Sequence, residues 1–133
     1  MTSSSSDGKL ACTKGSIHAI TPTEIPVPGN KIIEEFIGLL NSGTSQFSVA
    51  RMVAPPGWEE PEQTPEFDEV TIVIRGSMQA EIDGKSVKIE ANQPFVALKN
   101  STVRYSNPFD EPAEYWAVCV PAFSPDMVNR SES

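Results

Sequence analysis

Histidine is nearly absent from this chain of 133 residues, which has one, His18, and only two cysteines, Cys12 and Cys119. A lone histidine is more often a surface or capping residue than a metal ligand. The two cysteines have neither the spacing nor the neighbours of a zinc site or a redox pair. Their plain reading is a reduced, cytoplasmic setting without a Cys12–Cys119 disulfide. Positive charge is also scarce. Ten Lys and Arg stand against eighteen Asp and Glu, a formal net charge of −8 and a pI of about 4.6. Such a surface repels phosphate backbones and anionic lipid, so neither a nucleic-acid nor a membrane partner is expected. No run of 18 apolar residues occurs, which excludes a transmembrane helix, and the Ser-rich N-terminus lacks the apolar stretch of a secretory signal.

What the chain has in excess is proline, twelve residues in all. Frequent prolines suit short strands and turns better than long helices. Residues 1–15 are small and polar and read as a flexible segment, residues 16–125 as one folded domain, and residues 126–133 as a polar surface tail. Pro22, Pro26 and Pro28 favour an extended edge segment after Ser16. Lys31–Leu40, KIIEEFIGLL, supports two readings. Ile32, Ile33, Phe36, Leu39 and Leu40 sit at helical spacing, whereas the Asn41-Ser42-Gly43 turn and the β-rich run beyond suit a hairpin. Strand is preferred, because an isolated ten-residue helix is marginal.

From Gln46 the pattern has period two. Gln46–Val53, Glu69–Arg75, Met78–Ile82, Lys85–Ile89, Pro94–Leu98, Val103–Ser106 and Glu114–Val120 read as strands, with Ala54–Pro65 a loop and Asp83-Gly84 a two-residue hairpin turn. Seven to nine short strands with turns every eight to twelve residues predict an antiparallel sandwich or barrel.

Two spacings narrow this prediction. Gly57 is followed by five residues, Gln63-Thr64-Pro65, three residues, Glu69, six residues and Gly76; Leu98-Lys99-Asn100 is followed by two residues, Val103, three residues and Asn107. These resemble the two cupin motifs, G-x5-H-x-H-x3,4-E-x6-G and P-x-G-x2-H-x3-N. Asn100 stands where the second motif has glycine, and Asn is next best where a turn needs positive φ. The chain is thus identified as a small single-domain member of the RmlC-like cupin superfamily. That resemblance implies an all-β, antiparallel double-stranded β-helix, a jelly-roll barrel. It also implies that the four metal-ligand places hold Gln63, Pro65, Glu69 and Val103. One carboxylate and one amide are a poor set for a transition metal, so no metal and no cofactor is expected.

Strand alternation places Thr71 and Val73 with Glu69, and Tyr105 with Val103. Arg51, taken by analogy as facing inward, is the expected cationic partner of Glu69. Arg51, Gln63, Glu69, Thr71 and Tyr105 form the expected ligand-binding set, with Glu69 as general base and Tyr105 or Arg51 as oxyanion stabiliser in a catalytic version. The acidic run Trp58-Glu59-Glu60-Pro61-Glu62 reads as a solvated loop, and of Tyr115 and Trp116 one faces inward. The function expected on these grounds is binding of a small organic metabolite in the barrel. The alternatives are a metal-independent isomerase, epimerase or lyase using Glu69, a metal enzyme with substitute ligands, and a dimer with a vestigial cavity. A homodimer is expected, with the extended segment Ile20–Pro28 lying against its neighbour.

Overall fold

The computed structural model describes residues 10–13, 15–19 and 21–131, and it is built almost wholly of antiparallel strands. In chain order these are β1 (Leu10–Thr13), β2 (Ser16–Ala19), β3 (Thr23–Glu24), β4 (Ile32–Ile37), β5 (Ser48–Ala54), β6 (Asp68–Arg75), β7 (Ser77–Ile82), β8 (Lys85–Glu90), β9 (Pro94–Ala97), β10 (Val103–Ser106) and β11 (Ala113–Val120). One 3-10 turn, Pro125–Met127, follows. Six strands form one sheet in the order β3-β4-β5-β11-β6-β9, three form a second, β10-β7-β8, and β1 pairs with β2. Every pairing is antiparallel.

The two larger sheets close on one core. Ala54, Val73, Ala97, Ala113 and Tyr115 from the first meet Met78, Ala80, Ile89, Val103 and Tyr105 from the second. β11 shows the alternation that drives this, with Ala113, Tyr115, Ala117 and Cys119 buried and their neighbours turned outward. The turns are set by residues able to adopt positive φ. Asp83 and Gly84 lie at 49° and 81°, as a two-residue hairpin requires. Gly76, at 76°, has no room for a side chain, because a Cβ there would collide with the Pro112 carbonyl oxygen. Asn100 takes a φ of 70° in the place where glycine is usual.

The strand reading of the ambiguous segment is correct for residues 32–37. Alternation turns Phe36 onto the outer face against Trp116, and a register shift in the β4–β5 pairing between Glu35 and Ile37 puts Ile37 opposite the outward Val49 as well, which breaks the period of two. The buried Glu35 carboxylate then accepts hydrogen bonds from the backbone N–H groups of Leu40 and Asn41 at 2.9 and 2.8 Å, organising the turn that follows.

Both ends of the described chain pair with other segments. Leu10–Thr13, inside the segment read as flexible, forms a strand, because its backbone finds a partner in Ser16–Ala19; residues 1–9 and 14 of that segment lie outside the described residues. The polar tail is attached to the barrel, since Ser131 N–H donates to the Glu62 carbonyl and Arg130 bridges to Gln63. Residues 132 and 133 lie outside the description. Among the described residues no helix is long and apolar enough to cross a membrane.

Candidate functional site

A cavity of about 260 Å³ runs between the six-stranded sheet and the Gly57–Pro65 loop. Its floor and walls come from alternate residues of the central strands: Ser48, Ala50 and Met52 of β5, Glu69 and Thr71 of β6, Tyr115, Ala117 and Cys119 of β11. β4 adds Ile33 and Glu35, with Lys31 just before it; the loop adds Glu60 and Gln63, and the tail adds Arg130. A shallower hollow of about 540 Å³ adjoins it, sharing Lys31, Ile33, Glu60 and Arg130 and adding Trp58 and Gly57. The site is therefore an enclosed, mostly apolar chamber whose mouth carries two cations, two carboxylates and an indole.

Its polar groups are poorly satisfied. Glu60 Oε2, Gln63 Oε1, Glu69 Oε1 and the Tyr105 hydroxyl are all buried without a hydrogen-bond partner among the described residues. Glu35 in the same wall contrasts with them, because both of its backbone donors are in place. The Lys31 ammonium lies 3.6 Å over the Trp58 ring and 5.5 Å from that of Tyr115, a cation–π arrangement. Among the described residues it makes no ion pair with Glu60 or Glu69.

Burial dominates the electrostatics. Glu69 is pushed up to about 7, first by loss of water and then by the negative charge of Glu60, while Tyr105 and Lys31 oppose the rise. Glu60 is raised by burial as well, against the pull of Lys31 and Arg130. Burial brings Lys31 down to about 8 despite both carboxylates. The hydroxyls of Tyr105 and Tyr115 are held well above their ordinary range, mainly by burial, so they remain protonated and neutral. One carboxyl near 7 and one amine near 8 thus share a chamber, a pair suited to exchanging protons with a bound group.

Four of the five expected ligand-binding residues, Gln63, Glu69, Thr71 and Tyr105, line this cavity together. Arg51 does not. The face of β5 is the reverse of the one expected by analogy: Ser48, Ala50 and Met52 point inward, and Arg51 points out. There its Nε donates to Glu114 at 2.7 Å and its Nη1 to Glu34 at 2.8 Å. Arg51 therefore has no part in partnering Glu69 or an oxyanion. The cation facing Glu69 is Lys31, which the sequence reading missed. As soon as Lys31–Ile37 is taken as strand, alternation puts Lys31, Ile33 and Glu35 on one side, and that was the available signal. Glu60 was also missed, since the loop read as solvated folds back over the barrel; Glu60 N–H bonds to the Tyr105 carbonyl and Glu59 bridges to Ser106. Of the aromatic pair, Tyr115 lines the cavity and Trp116 packs outside on Phe36.

The four positions of the metal-bearing motif do not suit a metal. Val103 is part of the apolar core, Pro65 offers no donor side chain, and Gln63 and Glu69 leave one amide and one carboxylate. Among the described residues no group of three or more His, Cys, Asp and Glu is placed to hold an ion. Asn107, the last residue of the second motif, is structural. Its Nδ2 donates to the carbonyls of Ala54 and Glu111, and its Oδ1 accepts from Phe109 N–H. Cys119 is a free, buried thiol raised far above its ordinary range by burial. The side chains of Cys12 and His18 lie outside the described residues.

No family model matches the chain. The fold is nevertheless that of the cupins. A protein with a double-stranded β-helix domain from Klebsiella pneumoniae superposes with a TM-score of 0.65 at 20% identity, over 82% of this chain and 90% of that one. The Cupin_2 domain of an XRE family transcriptional regulator from Enterobacter cloacae gives 0.60 at 19% identity, over 69% and 97%. The cupin domain of Schizosaccharomyces pombe Cnp3 gives 0.63 at 8% identity, over 80% and 77%.

The chain is also 43% identical, over 105 residues, to the endoribonuclease YbeY of Myxococcus xanthus. The match takes in 79% of this chain but 36% of the Myxococcus protein. This relative corrects two expectations. A metabolite-binding barrel, with its isomerase and metal-enzyme alternatives, is not the function the similarity indicates, and the exclusion of nucleic acid from the partners does not stand. The net charge on which that exclusion rested is a whole-molecule quantity, whereas the cavity mouth places the cations Lys31 and Arg130 beside the carboxylates Glu59 and Glu60, so the overall excess of acid does not extend to it.

Proposed function

We propose that this chain is an RNA-processing module that receives single-stranded RNA at the mouth of its barrel, with strand cleavage carried by a separate part of proteins such as the Myxococcus relative. The observation that carries this reading is the shape of the match: most of this chain corresponds to about a third of an endoribonuclease. The mouth has the groups that hold a single strand, namely the Trp58 ring as a stacking platform and Lys31 and Arg130 as phosphate partners. A base that stacks on Trp58 displaces the Lys31 ammonium from the ring and frees it for a phosphate. With two such contacts and an acidic remainder, log affinity should fall with log salt at a slope of about −1.4, far shallower than for a basic RNA-binding domain.

The test uses the full chain and a fluorescently labelled RNA hexamer. Binding without cleavage, weakened by Lys31→Met, supports the proposal; no binding at low salt overturns it. A second reading is favoured by the carboxyl near 7 and the amine near 8. In that reading Glu69 takes the proton from a ribose 2′-hydroxyl, the 2′-oxygen–phosphorus bond forms, and the phosphorus–5′-oxygen bond breaks. Lys31 supplies the proton to the leaving oxygen. Cleavage by the chain alone, abolished by Glu69→Gln, would establish this second reading in place of the first. Reduced Cys119 and an RNA partner fit a cytoplasmic setting, which belongs to the same proposal. So does the homodimer: Ile72, Ile74, Val96 and Val120 are exposed on the outer face of the six-stranded sheet, where a second copy would cover them. Light scattering showing a monomer at micromolar concentration would count against it.

A further inference from the structure

Three buried acceptor atoms, on Glu60, Gln63 and Glu69, face one chamber of about 260 Å³ without a hydrogen-bond partner among the described residues. A native protein seldom leaves such groups unpaired, and water or a ligand completes those that its own chain does not. The partner they call for must be rich in N–H donors on one edge and otherwise flat and largely apolar, since most of the remaining wall is apolar, with Ile33, Ala50, Met52, Tyr115 and Phe123 among it. The volume admits one nucleobase and no more of a strand.

The four RNA bases differ sharply in what they offer there. Guanine presents N1–H and the N2 amino group side by side, a pair that matches the two oxygens of a carboxylate. Adenine and cytosine each present one amino group beside a ring-nitrogen acceptor. Uracil presents one N–H between two carbonyls, which would oppose the carboxylates. We infer that the chamber is a guanine pocket: a base flipped out of the strand directs its N1–H and N2 amino edge at Glu69, with Gln63 and Glu60 taking the remaining amino hydrogen. This inference rests on the RNA reading above and adds base specificity to it. The sugar and phosphate then stay at the mouth, beside Lys31 and Arg130, consistent with recognition of unpaired bases by their Watson–Crick edges.

The experiment compares uridine hexamers carrying a single central guanosine, inosine, adenosine, cytidine or uridine by fluorescence anisotropy. Inosine is the decisive probe, because it keeps N1–H and lacks only the N2 amino group. Guanosine should bind at least tenfold tighter than inosine, and the preference should vanish in Glu69→Gln. Equal binding of all five hexamers, or a preference for another base, overturns the guanine inference while leaving RNA binding intact. Binding of none overturns the RNA reading itself. If Glu69→Gln fails to fold, the guanosine–inosine ratio on the unaltered protein still decides. Guanosine monophosphate binding as tightly as the hexamer would assign the pocket to free nucleotides and overturn its attachment to RNA.

Discussion

Replacing Glu69 by glutamine should make the protein more stable near neutral pH and leave it unchanged in mild acid. The Glu69 carboxyl is held at about 7 in the fold against an ordinary value of 4.5. Between those two values the folded state binds more protons at this position than the unfolded state does, so its contribution to stability falls as pH rises from 4.5 to 7 and is flat above. At about 1.4 kcal/mol per pH unit, full ionisation costs about 3 kcal/mol. Part of Glu69 stays open to the cavity, where solvent screens its charge, which reduces the net penalty to about 1–2 kcal/mol. Glutamine retains the shape and carries no charge. Urea or thermal melts of both proteins at pH 5 and pH 7.5 test this. The variant should match the parent at pH 5 and exceed it at pH 7.5 by about 1–2 kcal/mol, or about 3–8 °C. A variant equally or less stable at both pH values would refute the reasoning, because it would mean that the carboxylate is already paired in the fold.

Three further outcomes follow from the packing. Gly76→Ala should lose on the order of 1–3 kcal/mol or more in urea titration, since positive φ and the approach of the Pro112 carbonyl both oppose a Cβ. Asn107→Ala removes three hydrogen bonds at a fully buried position, leaving the Ala54 carbonyl without its donor, and should cost about 2–4 kcal/mol by the same measurement. Arg51→Ala breaks two ion pairs on the outer face, should change stability by about 1 kcal/mol or less, and should leave RNA affinity unaltered. An Arg51 variant that lost RNA binding selectively would return that residue to the site.

The barrel was legible in the sequence because its signals are local. Period-two alternation, the Asp83-Gly84 turn and the motif spacing from Gly57 to Gly76 each depend on neighbours within a few residues. The inward faces of β6 and β10 followed from a single anchor, Glu69 or Val103. The face of β5 had no such anchor, since parity leaves two equal choices, and the aliphatic Val49 and Val53 made the wrong one attractive. In the folded chain both valines lie on the outer face, Val49 in register with Val118 and Val70, and Val53 between Ile32 and Glu114. Glu60 and Arg130 were beyond local reasoning altogether. They reach the cavity through the closure of a loop on β10 and of the tail on that loop, pairings of long sequence separation that no window of residues displays.

These placements give stability and recognition opposite dependences on pH. Glu69 must be ionised to accept both donors of a guanine edge, so affinity for the guanosine hexamer should rise as pH increases through about 7, where the empty fold is losing stability. The other groups facing it modify that midpoint in known directions: Glu60 from the loop raises it, and Lys31 and Tyr105 lower it. Tyr115 and Cys119 from β11 stay neutral across the range. Lys31 loses its charge above about 8, which removes a phosphate partner, so binding should peak between the two values rather than climb steadily. A bound guanine also lowers the Glu69 value by pairing its anion. The peak therefore broadens further toward acid for guanosine than for inosine, which satisfies only one of its two oxygens. A pH profile identical for the two hexamers would place the base elsewhere than beside Glu69.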